Sequence, residues 1–385
     1  MVNGRSVLVL TVVHNPHDGR IRARQIESLL AAGWQVTYAA PWSGHDLPVP
    51  RAGETPGLSC VDVPRASGRR RLVALRAARA LLRERAAGHD VVLLHDPELL
   101  LALLGLRLPA VVWDVHEDTA AAVRLRAWLP RALRVPAAGL ARTVERAAET
   151  RLTLLLADAR YAARFTRTHL VVPNSTWVPD EPGPAAAREA GGAYRVVYLG
   201  SITLERGAAE LVEVGRMLRE RTDGAVTVEV MGPAHGRAEP LMQAAHRRGD
   251  LVWTGYLPNE EALSRVDGAL AGLSLLHDKE NFTPSMPTKI VEYLARGVPA
   301  ITTPVPLAAD LVTRADAGLV VPFGTVDEVA TRVVDQVVAW ADDPAVAVVA
   351  GRRGHALVRA EWNWSVHAAA FVDALEWVAR RAVAS

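Results

Sequence analysis

Along this chain, short apolar runs alternate with segments whose apolar residues recur every three or four positions. Val7–Val13 is an almost unbroken apolar run, the pattern of a strand covered on both faces. Ile21–Ala32 follows with helical periodicity and stops at Gly33, and Val36–Ala40 is the next strand-like run. The alternation continues through a helix over Leu72–Ala87 stopped by Gly88, a strand Val91–Leu94, a helix Leu99–Leu106 and a strand Ala110–Trp113. Helical periodicity returns over Thr119–Ala127 and Pro136–Ala148, and Leu152–Leu156 and Leu170–Val172 read as short strands. Such alternation predicts a mainly parallel sheet with helices on both faces.

The stretch Pro179–Gly192 is rich in Pro, Gly and Ala and reads as a linker. The pattern then restarts with strand Val196–Leu199, helix Ala208–Glu220, strands Val226–Met231 and Leu251–Thr254, helix Glu260–Val266 and strand Leu270–Leu276. Helix Thr288–Arg296 ends at Gly297. Short strands Ala300–Thr302 and Leu319–Val321 and helix Val326–Ala341 follow. A last helix, Ser365–Ala384, is expected to cross back onto the first half. The 385 residues therefore divide into an N-terminal domain over 1–178, a C-terminal domain over 193–364 and a returning helix over 365–385. The two halves share an architecture, and no short-period repeat is visible.

Composition narrows the chemistry. Half the residues are apolar and the net charge is only +2, which argues against a dedicated nucleic-acid binder. The basic residues are 42 arginines and two lysines, Lys279 and Lys289, so the two lysines stand out, and both fall in one short segment. A single cysteine, Cys60, excludes an intrachain disulfide framework and any multi-cysteine metal site, and fits a reducing cytoplasm. The apolar run near the N-terminus is too short for a signal peptide, and no run of about 20 apolar residues predicts a membrane span.

In open α/β sheets, ligands bind outside the carboxyl ends of the strands, so the loops there hold the candidates. The first, His14-Asn15-Pro16-His17-Asp18-Gly19-Arg20, is polar and places a glycine just before a helix, where backbone can approach a phosphate or sugar hydroxyls; it reads equally as a turn capped by Asp18. No G-x-G-x-x-G fingerprint occurs. His95-Asp96-Pro97-Glu98 and Asp114-Val115-His116-Glu117-Asp118 follow neighbouring strands and deliver two histidines and several carboxylates to one rim. Metal binding is not expected from them, because residues adjacent in sequence need not converge. In the second half, Gly200-Ser201-Ile202-Thr203-Leu204-Glu205-Arg206-Gly207 joins a strand to a helix. Its glycines, the helix N-terminus and Arg206 suit a pyrophosphate. The segment Asp278–Pro299 runs extended through its prolines before a helix near Thr288, leaving the N–H groups of Ser285 and Met286 as an anion cradle. Lys289 and Glu292, three apart on that helix, share a face where one can neutralise phosphate and the other accept ribose hydroxyls; the plain alternative is a surface salt bridge.

On these residues the chain resembles a family 4 glycosyltransferase of the GT-B fold. The matching stretches are VVHNPHDGRIRARQIESLLAAGWQVTYAAP, VVLLHDPELL with VVWDVHED, VVYLGSITLERGAAELVEVGRML and NFTPSMPTKIVEYLARGVPAITTPVP, in order across residues 7–306. The resemblance implies two Rossmann-like domains facing across a cleft, the N-terminal one on the acceptor side and the C-terminal one binding a nucleotide sugar. It implies transfer from a UDP- or GDP-linked sugar to an acceptor hydroxyl with retention of anomeric configuration. Carried over, Glu292 binds the donor ribose, Arg206 the diphosphate, His116 faces the donor sugar near the reacting carbon, and Gly19 belongs to the loop near the diphosphate. Gly200, Ser285, Met286 and Lys289 complete the donor set, and His14, Asp18, Asp96, Glu98, Asp114 and Glu117 are acceptor-side candidates. His116, Arg206 and Lys289 are the catalytic candidates.

Two departures from the family pattern matter. Pro284 stands where many relatives carry a second glutamate, leaving Glu280, Asn281 or loop amides to recognise the sugar. Ser201 and Ile202 occupy the region of a second basic residue, so Lys289 is expected to supply the missing charge. No aspartate–x–aspartate motif is present, and neither metal nor cofactor is expected. The competing readings are a sugar-nucleotide 2-epimerase of the same fold and a non-catalytic nucleotide-sugar-binding subunit. Arg69–Arg85 and Arg124–Arg134, the latter with Trp128, are basic and amphipathic, which suggests peripheral contact with the inner face of a membrane for a cytoplasmic protein.

Overall fold

A computed structural model describes residues 4–116, 118–125, 130–188, 192–279, 282 and 286–383. The chain divides into two compact units, one of residues 1–174 and 365–385 and the other of residues 175–364.

The first unit is built on strands β1 (Ser6–Leu10), β2 (Gln35–Ala40), β3 (Leu58–Asp62), β4 (Val91–Leu94), β5 (Ala110–Val115), β6 (Thr153–Leu156) and β7 (Leu170–Val171). They form one parallel sheet in the order β3-β2-β1-β4-β5-β6-β7. The apolar runs are central strands because both their faces are covered: Leu8, Leu10, Val92, Leu94 and Trp113 pack with Ala74, Ala78 and Leu82 of the helix Arg71–Arg85. The β1 run is shorter than its apolar stretch predicts. Thr11 still bonds to Ala39 through its N–H, but its hydroxyl turns to Asp96, and the chain leaves the sheet there. Conversely, β5 continues to Val115, so Asp114 lies inside a strand and not in the following loop.

The second unit carries β8 (Tyr194–Leu199), β9 (Val226–Met231), β10 (Val252–Gly255), β11 (Ala271–Ser274), β12 (Ala300–Thr302) and β13 (Gly318–Val320), parallel in the order β10-β9-β8-β11-β12-β13. One face packs Val196, Tyr198, Val228 and Val230 against Leu211, Val214 and Val333; the other packs Val197, Leu199 and Met231 against Ile290, Leu294 and Val358. The stretch expected to be a linker is bonded to this unit: Gly183 donates to Arg296 O at 3.0 Å and Ala187 to Gly268 O at 3.3 Å.

The structure adds elements that the pattern did not reveal: β3, and the helices Ala238–Arg248, Pro306–Ala315 and Pro344–Glu361. Pro306 and Pro344 look like breakers but sit in the first helical turn, where the missing N–H has no partner to lose. The helix expected from Pro136 begins at Arg131, with Pro136 inside it, and runs to Arg151. The Leu99 helix stops at Ala102, before Gly105 at φ +70°. Among the described residues no helix is long and apolar enough to cross a membrane.

Candidate functional site

In the second unit the chain runs outward from β8 to β10 and returns to β11 on the other side, which opens a crevice at the β8–β11 strand ends. These two strands pair only at Ala271–Val196 and Gly272–Val197. Beyond that point the Tyr293 hydroxyl takes the place of the ladder, accepting from Leu199 N–H at 2.8 Å and donating to Leu273 O at 3.1 Å. Gly272 is glycine because a Cβ there would lie 2.2 Å from the Tyr293 ring. The helix Thr288–Ala295 is thereby wedged into the crevice, with Lys289 one turn before Tyr293 on the same face.

Lys289 is 6 % exposed and Glu292 7 %, so the surface salt-bridge alternative falls away. The Lys289 ammonium stands 3.4 Å from the centroid of the Tyr198 ring and has no hydrogen-bond partner among the described residues. Burial pulls its pKa well below the ordinary lysine value, the Arg206 charge pulls the same way, and Glu292 opposes both. Gly200, at φ +107°, brings the chain past this ammonium, where a Cβ would sit 3.9 Å from Nζ. Arg206 ends the short turn Leu204–Arg206, and its guanidinium lies 5.7 Å from the Phe282 ring centroid with no salt bridge among the described residues. Gly207, at φ +89°, starts the helix Ala208–Thr222 so close beneath the sheet that a Cβ would lie 2.5 Å from Leu275 O. Met286 is half-buried against the apolar core. Ser285 lies outside the described residues, as do Pro284, Glu280 and Asn281. The sequence reading missed His277, which donates its backbone N–H to Glu205 O at 2.9 Å and meets buried Glu210 through Nε2 at 2.9 Å. Its only signal was its position after a strand.

In the first unit, β4 and β5 are adjacent, and the rim expected from their ends forms. Asp114 is fully buried. Arg20 donates to it twice, Nε to Oδ2 at 2.8 Å and Nη2 to Oδ1 at 2.7 Å, and Gln25 Nε2 donates to Oδ2 at 2.6 Å. His116 Nε2 lies 2.9 Å from the same Oδ2 and 3.0 Å from His95 Nδ1. Burial alone would raise the Asp114 pKa, but Arg20 and then His116 hold it well below the usual carboxylate value. His116 is pushed down to about 4 by burial, with the neighbouring His14 and His95 adding to the effect of burial and Asp114 resisting it. The His14 ring packs against His116 at 4.9 Å between centroids, tilted by 52°, and approaches Asp18 at 3.6 Å and Asp96 at 3.4 Å. Burial pushes the Asp18 pKa up, but the bond and charge of His14, the charge of His116 and the Ile21 N–H together bring it below the usual carboxylate value.

Three candidates behave differently from expectation. Asp96 accepts from Val12 N–H at 2.5 Å and from the Thr11 hydroxyl at 2.9 Å, so its Oδ2 fixes the turn out of β1. Glu98 is engaged by Arg71 of the helix Arg71–Arg85. Gly19 needs no special backbone conformation, and a Cβ there would meet only the Arg24 guanidinium at 3.6 Å. Glu117 and Trp128 lie outside the described residues. Arg20, the last residue of the polar loop, and Gln25, inside the helix that follows, were given no role, because nothing in the local pattern points to Asp114.

His95, Asp114 and His116 bring one donor atom each to within 4.8 Å of one another, the compact set that could hold a cation. Both Asp114 oxygens are already taken up by the Arg20 guanidinium, whose positive charge opposes a second cation there, so the geometry does not assign a metal.

Residues 193–337 match the family model described as "Glycosyl transferases group 1". Over 218 residues the chain is 31 % identical to the GDP-mannose-dependent alpha-(1-6)-phosphatidylinositol monomannoside mannosyltransferase of Mycobacterium tuberculosis, covering 50 % of this chain and 52 % of that protein. The chain thus spans about half the length of the curated relatives it matches. Its fold is that of the sucrose-phosphate synthase from Thermosynechococcus elongatus, at TM-score 0.70 and 17 % identity over 97 % of this chain and 99 % of the other. It also resembles WaaG, a glycosyltransferase involved in lipopolysaccharide biosynthesis, at TM-score 0.66 and 14 % identity over 95 % and 98 %. Anabaena Alr3699/HepE, solved with UDP and glucose, matches at TM-score 0.64 and 11 % identity over 96 % and 99 %.

Proposed function

We propose that this chain, a group 1 glycosyltransferase by its C-terminal unit and of the GT-B fold throughout, moves a hexose from a nucleotide-diphospho-sugar to an acceptor hydroxyl with retention of configuration. The observation that carries the reading is Lys289. It is an ammonium held in a buried crevice without a hydrogen-bond partner among the described residues, beside Gly200 and within the field of Arg206. A buried cation of this kind calls for an anion, and a diphosphate supplies one.

In this reading Arg206, Lys289 and the N-terminus of the Ala208 helix bind the diphosphate where the chain passes Gly200, Ser285 and Met286 add amides, and Glu292 accepts the ribose hydroxyls. The bond between the sugar carbon and the phosphate oxygen breaks, and the acceptor oxygen bonds to the same face of that carbon. The acceptor's proton passes to the departing phosphate. The cationic side chains neutralise the charge that grows on the leaving group, in place of a divalent metal or cofactor. In the N-terminal unit, His116, His14, Asp18, Gly19 and Glu117 are the candidates that the family resemblance names.

The mycobacterial relative is GDP-mannose-dependent, and HepE was solved with UDP and glucose, so both nucleotides are candidates for the donor. Peripheral membrane contact is part of the proposal. The helix Arg131–Arg151 leaves Val135 69 % and Leu140 66 % exposed while burying Glu145 and Glu149, and Leu72 and Val73 stand out beside the arginines of the helix Arg71–Arg85. Calorimetric titration with GDP, UDP, GDP-mannose and UDP-glucose tests the donor assignment. Binding of at least one nucleotide, weakened by Arg206→Ala, is the expected result. Indifference to all four, or an unaltered affinity in the variant, overturns it.

A further inference from the structure

We propose that Asp114 is a positioning residue: clamped by Arg20 and Gln25, it fixes a neutral His116 with its proton on Nε2 and leaves Nδ1 as a hydrogen-bond acceptor for a ligand hydroxyl. The argument begins with the carboxylate. Asp114 is fully buried and already neutralised by a two-point contact with Arg20, at 2.8 and 2.7 Å. An ionised carboxylate only accepts hydrogen bonds, so the His116 nitrogen 2.9 Å from Oδ2 must carry the proton. The Arg20–Asp114 pair has no net charge left to balance an imidazolium. The other groups facing the ring are His95 from β4, its Nδ1 3.0 Å from Nε2, and His14 from the loop after β1, its ring centroid 4.9 Å away. Asp18 interacts with His116 through its charge but is engaged by His14. Nothing here holds a second proton on His116.

The second ring nitrogen is then bare. Nδ1 makes no hydrogen bond among the described residues, and 13 % of the side chain stays accessible. Tyr161 donates its hydroxyl to His116 O at 3.1 Å and β5 pairs Asp114 and Val115 with β6, which anchors the backbone, while Asp114, His95 and His14 hold the ring itself. A bare sp² nitrogen at the edge of a rigid ring selects a hydroxyl and rejects a carbonyl or an ether, which offer no proton. His95 completes the pattern. Its Nδ1 faces the His116 N–H as an acceptor, which places its own proton on Nε2, a buried atom with no partner among the described residues. A buried donor left unsatisfied is a cost that the chain carries to keep this orientation.

The identity of the hydroxyl rests on the transferase reading; the tautomer does not. The test uses the full chain labelled with ¹⁵N-histidine at pH 7.5, with His116 assigned by comparison with His116→Gln. A protonated Nε2 and an unprotonated Nδ1 are expected. A proton on Nδ1, or on both nitrogens, overturns the inference. In Asp114→Asn, verified as folded by far-UV dichroism, the tautomer shifts toward Nδ1–H. Donor hydrolysis without acceptor falls in kcat by at least roughly 10²-fold while the donor KM stays within about threefold, as expected when a wrongly protonated imidazole replaces the right one. An Asp114→Asn protein that folds and keeps the wild-type tautomer and kcat refutes the positioning role. Should that variant not fold, Gln25→Leu, which removes one donor to the carboxylate, tests the clamp through the same spectrum. If no nucleotide binds the wild type, the transferase reading fails while the spectrum still decides the tautomer.

Discussion

Replacing Lys289 by methionine separates stability from function at one atom. The lysine stem is buried in apolar surroundings and methionine fills the same space, so packing is kept. What disappears is an ammonium that has no hydrogen-bond partner among the described residues. A buried polar group left unsatisfied costs about 1–3 kcal/mol, and more when charged, and the contact with Tyr198 at 3.4 Å returns about 0.5–2 kcal/mol of this. The net relief is on the order of 1 kcal/mol, which for a unit of this size raises Tm by about 2–4 °C. The pH dependence is a second signature. Because the folded-state pKa is depressed, the unfolded chain holds the extra proton below the ordinary lysine pKa, and wild-type stability rises as pH climbs toward it. Lys289→Met lacks that rise. Turnover moves the other way, falling roughly 10²–10³-fold in kcat/KM with loss of one cation from the leaving group. Scanning calorimetry from pH 7 to 10 and a donor-hydrolysis assay measure both. A variant that melts lower than wild type, or that turns over the donor normally, would falsify this account of Lys289.

Acid should loosen the first unit in a defined window. The His116 pKa lies at about 4 in the fold and near 6.5 when unfolded, so its contribution is intact above 6.5 and is lost as pH falls toward 4. The loss is on the order of 3 kcal/mol, and urea titrations at pH 7, 5.5 and 4 should show a shallower decline in His116→Gln. Tyr293→Phe strips the bridge between Leu199 N–H and Leu273 O and should lower Tm by several degrees, about 1–3 kcal/mol, while weakening nucleotide binding. An unshifted melting curve would contradict that role. Glu149 accepts from Thr166 N–H at 2.8 Å, Arg167 N–H at 2.7 Å and His169 at 2.9 Å. Glu149→Ala strands these donors and should cost about 3 kcal/mol without changing nucleotide affinity, which paired melting and titration experiments check.

The central strands were legible because a parallel strand covered on both faces must be apolar throughout, as Val91–Leu94 and Val226–Met231 are. The edge strand β3 was not, since Leu58–Asp62 interleaves Leu and Val with Ser, Cys and Asp and lacks a continuous run. Helices such as Ala238–Arg248 hid in a composition where Ala and Arg blur the apolar stripe. At the site, Lys289 was visible through its rarity and its place before a glycine-ended helix. Arg20 and Gln25 were not, because nothing in a local pattern says that a helical side chain will reach a carboxylate 94 or 89 positions away. The same holds for Asp96 and Glu98, which look alike on paper. One is buried under the β1 turn and the other is drawn to Arg71.

The hydroxyl of Tyr293 makes a side chain serve as mortar between two strands. Because that anchor is distinct from the residues that reach outward, Lys289 and Glu292 can be exchanged over evolutionary time without the helix drifting from its seat. The scaffold can therefore retune which ligand it prefers while its masonry, Tyr293 against Gly272, stays unaltered.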